Sequence, residues 1–107
     1  MAHYMLQVGY NAASTKAMVE HPQNREEVAR KATESLGGRL LSFYFCFGEF
    51  DAVVIAEIPD NVSAAAIAMG VGSTGALSKF QTTPLMTAAE GVEAMKKAKS
   101  IAYTPPR

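Results

Sequence analysis

An α+β domain in βαββαβ order, a four-stranded antiparallel sheet with its helices on one face, is what this chain of 107 residues predicts. Three observations predict it. A two-residue Gly48-Glu49 turn joins two apolar runs in the middle of the chain. A strand-like segment followed by a helical one precedes that hairpin, and a helical segment followed by a strand-like one comes after it. Capping residues stand where helices should begin, at Asn24 and Thr87, each with a glutamate three positions on.

The first strand spans residues 3–11, where Tyr4, Leu6, Val8 and Tyr10 alternate with Met5, Gln7 and Gly9. A polar loop is expected next, ending at His21-Pro22, since proline disfavours helix in the residue before it. A helix then opens at Asn24, with Val28, Ala29, Ala32 and Leu36 as its apolar stripe. Glu26–Arg30 and Glu27–Lys31 form i,i+4 pairs on its wet side. Gly37-Gly38 stops it, glycine taking the left-handed cap conformation at little cost.

The hairpin strands run from Leu40 to Phe47 and from Phe50 to Ile58. The turn sets their register: Phe47 opposite Phe50, Phe45 opposite Ala52, Phe43 opposite Val54 and Leu41 opposite Ala56. That face is wholly apolar and belongs under helices. The other face carries Leu40, Ser42, Tyr44 and Cys46 against Glu57, Ile55, Val53 and Asp51. Cys46, the sole cysteine, reads as a buried, inert thiol.

Pro59-Asp60-Asn61 ends the hairpin, and a helix without charge follows from Val62 to Met69. A fourth strand spans 77–83. A third helix starts after Thr87, with Ala88, Val92 and Met95 facing inward and lysines near its C-terminal end. One domain therefore covers residues 1–103, with a tail at 104–107.

This order is ferredoxin-like. Two helices cover the apolar face, and the mixed face stays open in a monomer. An uncovered patch on the order of several hundred Å2 marks an interaction site. The expected partner is a second copy packed sheet against sheet in a C2 dimer, the two sheets forming an α/β barrel. Leu40, Ser42, Tyr44, Val53 and Ile55 are its expected interface residues.

Composition narrows the other partners. Ten basic and ten acidic residues cancel, so the footprint for nucleic acid or an anionic membrane is lacking. The N-terminal residues have neither the basic start nor the apolar core of a secretion signal, and cytoplasmic location is the expectation. No cofactor or metal site is expected, because His3 and His21 lack a histidine partner at ligand spacing.

Several residues together carry a likeness. Gly48-Glu49-Phe50-Asp51 matches a Gly-x-Tyr-Asp signature. Around it stand His21-Pro22-Gln23-Asn24-Arg25, Leu36-Gly37-Gly38, Leu41-Ser42-Phe43-Tyr44, Asp51-Ala52-Val53-Val54-Ile55, Gly75 and Thr82-Thr83. In their order and spacing, from about Tyr4 to the third helix, the chain resembles the GYD domain family. The resemblance implies a ferredoxin-like dimeric α/β barrel and brings no assigned activity. Phe50 replaces the signature tyrosine, which keeps the ring for packing and removes the hydroxyl.

Candidate sites follow, each beside its plainer reading. Gly70-Val71-Gly72-Ser73-Thr74-Gly75 spells a dinucleotide fingerprint but follows a helix and precedes a strand, the reverse of what that site requires. Its glycines end a helix and shape a connector, and the amides of 72–75 form at most a small anion nest. Asp51 is a candidate general base if half-buried at an interface, and otherwise caps turn amides. His21 with Arg25 is placed to close a pocket at the start of the first helix, and Tyr44 with Tyr10 to line a cavity.

The leading functional expectation is a small oligomeric module that binds a small molecule or mediates assembly through its sheet face. The alternative is a cofactor-independent oxygenase or isomerase in a barrel pocket. Asp51 would be its base, Tyr44 would orient the substrate, and His21 with Arg25 would clamp an anion. That alternative is fold-level analogy. A third class, a ligand-sensing regulatory domain, needs a DNA-binding partner.

Overall fold

The structure is a computed structural model describing residues 1–107. Strand β1 (Ala2–Tyr10) leads into two consecutive helices, α1 (Ala12–Glu20) and α2 (Arg25–Ser35). The hairpin strands are β2 (Arg39–Phe45) and β3 (Ala52–Ile58). Helix α3 (Asn61–Gly72), strand β4 (Leu77–Leu85) and helix α4 (Ala88–Ala98) complete the chain. The strands lie in the order β2-β3-β1-β4, all antiparallel, as the ferredoxin-like reading requires. No helix is long and apolar enough to cross a membrane.

The segment expected to be a loop is α1. The side chain of Asn11 caps it by accepting the Ser14 N–H at 2.9 Å, and Ala12, Ala13 and Ala17 favour helix. The helix buries no residue, so it has no apolar stripe to betray it in the sequence. Helix α2 opens at Asn24 as expected, its Oδ1 accepting the Glu26 N–H at 3.0 Å. Glu27 does not complete a capping box. It turns to Arg30 at 3.4 Å, which also holds Glu26 at 2.7 Å, and Lys31 takes no part in an ion pair.

Gly37 takes φ +81°, the left-handed conformation that ends α2. Gly38 is fixed by space: a Cβ there would lie 2.6 Å from the Glu57 carbonyl oxygen and 2.8 Å from Thr33 Cγ2. Helix, β2 and β3 meet at this point with no room for a methyl group.

The hairpin register holds at Phe45–Ala52, Tyr44–Val53, Phe43–Val54 and Ser42–Ile55. It then shifts between Leu40 and Ser42, so that Leu40, not Leu41, pairs with Ala56. Leu41 is the extra residue of a β-bulge, which re-aims the strand beyond it. Leu40 therefore points into the core, 6% exposed, and Leu41 is 41% exposed. Regular pairing stops at Phe45–Ala52, so Phe47 and Phe50 lie outside the strands and do not pair as the two-residue turn required; Cys46 N–H still bonds the Asp51 carbonyl at 2.8 Å. Cys46 is exposed rather than buried.

The core is one cluster formed by Tyr4, Leu6, Leu40, Val54, Ala56 and Ile58 of the sheet with Ala64 and Ile67 of α3. Ala29 of α2, Phe43 and Phe80 pack against it. Tyr4 brings a polar tip into this layer and satisfies it by donating its hydroxyl to Asn61 Oδ1 at 2.5 Å. Helix α3 runs three residues past the expected Met69, and β4 runs to Leu85 with Pro84 within it. Proline is tolerated because β4 is an edge strand.

Helix α4 forms the complete capping box expected of Thr87 and Glu90, but its inward face finds nothing to bury against. None of its residues is buried; Val92 is 47% and Met95 68% exposed. The radius of gyration is 17.1 Å, against about 13 Å for a compact chain of this length.

Candidate functional site

The sheet divides the molecule into two candidate surfaces. On the helix-free face, register sets Tyr44 beside Val53 and Ser42 beside Ile55, and Ile55 beside Met5 of β1. Four of the five expected interface residues thus fall together. Leu40 does not join them, because the bulge at Leu41 puts it on the opposite face, in the core. Tyr44 is 66% exposed; Val53, Ile55 and Met5 are half-buried by their neighbours alone.

Polar groups bound this apolar centre. At one end Glu57 Oε1 lies 3.0 Å from Arg39 Nη2 and 3.6 Å from His3 Nε2. His3 thus stands beside a carboxylate. At the other end Lys79 Nζ stands 5.0 Å from the centroid of the Phe50 ring, within cation–π range. Phe50 keeps an aromatic role there without the tyrosine hydroxyl.

Asp51 lies at that same end. Its Oδ2 accepts the Tyr10 N–H at 2.8 Å, and its own N–H donates to the Val8 carbonyl at 2.8 Å. The carboxylate thus stitches the end of β1 to the start of β3.

On the other side of the sheet, a cleft of about 290 Å3 opens between α2, α3 and the strands. Its walls are Leu6, Val8, Val54, Phe43 and Phe80 from the sheet, Val28, Ala29 and Ala32 from α2, and Ile67, Gly70 and Val71 from α3. The cause is legible residue by residue. Ala29 and Ala32 of α2 and Gly70 of α3 are small among these liners, and they do not fill the space opposite Phe43 and Phe80 to ordinary core density. Arg25, Tyr10, Thr33 and Thr74 are the polar liners, and Thr33 Oγ1 is already committed to the Ala29 carbonyl at 2.8 Å.

A second chamber of about 200 Å3 adjoins the first, sharing Tyr10, Arg25 and Ala76 with it. It is framed by Ser14, Ala17 and Met18 of α1 and by Gln23. Of the expected ligand-binding residues, Arg25 lines both chambers; Tyr44, Asp51 and His21 line neither. His21 ends α1, exposed, its carbonyl accepting the Gln23 side-chain amide at 3.1 Å. Tyr10 faces this cleft and not a sheet-to-sheet cavity.

The anion nest does not form. Ser73, Thr74 and Gly75 donate their N–H groups to the carbonyls of Met69, Val71 and Gly72, and Ala76 donates to the Thr74 hydroxyl. Gly70 and Gly72 belong to α3 itself, and Gly75 at φ +77° makes the turn to β4. The sequence gives little notice of the cleft: Val28, Ala29 and Ala32 read there as an ordinary core stripe.

A four-stranded antiparallel sheet with two-sided apolar character, helices on one face and the other uncovered, defines the class: a ferredoxin-like α+β domain. More particularly, the chain belongs to the GYD domain family, whose model matches residues 4–97. No curated protein matches it in sequence. Among solved structures it is similar to MtbAldR, at 14% identity and a TM-score of 0.61, over 80% of this chain and 53% of that one. The chain thus spans about half the length of that neighbour. It is also similar to FFRP-DM1, at 14% identity and a TM-score of 0.55, over 80% of this chain and 100% of that one. A third is TTHA0845 from Thermus thermophilus, at 15% identity and a TM-score of 0.53, over 82% and 96% respectively. At these identities the likeness is one of fold.

Proposed function

We propose that the chain is a small-molecule-binding module that works as a homodimer. The open sheet face serves assembly, and the cleft on the helix side receives the ligand. The observation that carries this reading is the division of one sheet between two unfinished surfaces. Tyr44, Val53, Ile55 and Met5 form an apolar centre with nothing over it, and the opposite side holds an open cleft that its own side chains leave unfilled. Apolar clefts of about this size with a few polar groups at one end are the usual form of small-ligand sites. Pairing two copies through the open face covers its apolar centre while leaving the cleft mouth, on the far side of the sheet, accessible.

A fragment screen on the native protein, read by amide and methyl NMR shifts, tests this reading. Binders should perturb Val28, Ala29, Val71 and Phe80 together. Binders that shift only open-face residues such as Val53 and Ile55 contradict the assignment of the two sides.

A further inference from the structure

Arg25 is the only charged side chain lining either chamber, and it stands where they join. It also lacks a carboxylate partner. Arg30 is held by Glu26 and Glu27, and Arg39 by Glu57, but Arg25 takes part in no ion pair. Its one side-chain bond is to a neutral group, Nη1 donating to Gln23 Oε1 at 2.8 Å. That bond orients the guanidinium and leaves donors free. Arg25 is the first residue of α2, where the helix N-terminus adds positive potential. Of the two nearby carboxylates, Glu26 and Glu27, Arg30 bridges both and offsets one charge.

Below Arg25 the cleft is apolar, walled by Val28, Ala29, Val71 and Phe80 among others. Beside it the second chamber is lined by Tyr10, by Ser14, whose hydroxyl donates to the Ala76 carbonyl at 2.8 Å, and by Gln23, whose amide is bonded to Arg25 and the His21 carbonyl. An unpaired cation at the rim of an apolar chamber is complementary to a ligand with a greasy body and one negative end. A single guanidinium balances a single charge, and its planar fork matches a carboxylate in two parallel hydrogen bonds.

We propose that the cleft binds a small amphipathic monocarboxylate, its apolar body between α2, α3 and the sheet and its carboxylate on Arg25. This rests on the cleft being the small-molecule site, and it adds the chemical class of the ligand.

Isothermal titration of the full chain with octanoate and with octanol, its neutral counterpart, tests both parts separately. Octanoate should bind at least about tenfold more tightly than octanol, the discrimination one charge-assisted contact supplies. R25Q should erase that preference, weakening octanoate about tenfold and leaving octanol within about twofold. V28W places a bulky ring at the mouth, at a position already half exposed, and should block both ligands while circular dichroism stays native. Equal affinity for the two probes, unchanged by R25Q, overturns the carboxylate assignment and leaves the cleft standing as a neutral site. Binding that V28W leaves intact, or no binding of either probe, overturns the cleft itself.

Discussion

The carboxylate of Asp51 accepts the backbone N–H of Tyr10 at 2.8 Å, joining residues 41 positions apart at the end of the β1–β3 ladder. Tyr10 also lines the cleft and is followed by the Asn11 cap of α1, so this bond fixes where the strand ends and the helical wall begins. Asp51→Ala leaves that amide without its acceptor and should cost about 1–3 kcal/mol in chemical denaturation. Asp51→Asn keeps an acceptor oxygen and should lose less. Equal stability of D51A and the parent protein would mean that the bond is ornamental.

Gly38 is enclosed by the Glu57 carbonyl and Thr33. A methyl group at 2.6 Å from a backbone oxygen forces apart α2 and the β2–β3 pair. Gly38→Ala should therefore destabilise the fold by about 2 kcal/mol or more, at the steep end for a single methyl. The urea midpoint checks this: it should fall for Gly38→Ala, whereas Gly70→Ala, a helical position where a Cβ meets open space, should hold or raise it.

The bulge makes neighbouring leucines unequal. Leu40 is in the core and Leu41 half exposed, so Leu40→Ala should cost about 2–4 kcal/mol and Leu41→Ala under about 1 kcal/mol. A reversed ranking in equilibrium unfolding would restore the unbulged register.

Acid should uncap α3. The Ser63 backbone N–H, and then its side-chain hydroxyl, lower the Asp60 pKa below its ordinary value. A carboxylate whose folded pKa is depressed contributes stability that is present above the unfolded pKa and lost as pH falls through the folded one. The loss is expected below about pH 4, the ordinary aspartate value. Asp60→Asn retains a capping oxygen without the charge, so the parent protein should lose stability relative to D60N as pH drops from neutral to about 3. Parallel acid-unfolding curves would contradict this. Glu90, lowered chiefly by the Thr87 backbone N–H, should behave alike at α4.

Much of this architecture was legible because chemistry and pattern agreed. Thr87 with Glu90, the Gly37 stop and most of the hairpin register were each read from a few residues and stand in the structure. What escaped had no local signature. Helix α1 buries nothing, so its periodicity is mute. The bulge at Leu41 looks like one more apolar residue in an apolar strand. The α4 stripe suggests a core contact, yet the chain alone provides none. For the site, Arg25 was legible as a cation at a helix start, but the cleft beneath it was not. Alanines facing a sheet read as close packing, and only the folded chain reveals the volume left over.

Whether the open sheet face pairs two copies is decided by light scattering coupled to size exclusion, on the parent protein and on a V53E/I55E variant. Two charges placed in the apolar centre of the open face should oppose pairing without entering the helix-side core. The expected outcome is a parent particle of twice the 11.4 kDa chain mass and a folded, monomeric variant. A parent protein that runs as a stable monomer across micromolar concentrations, with Tyr44 and Val53 in open solvent, contradicts it.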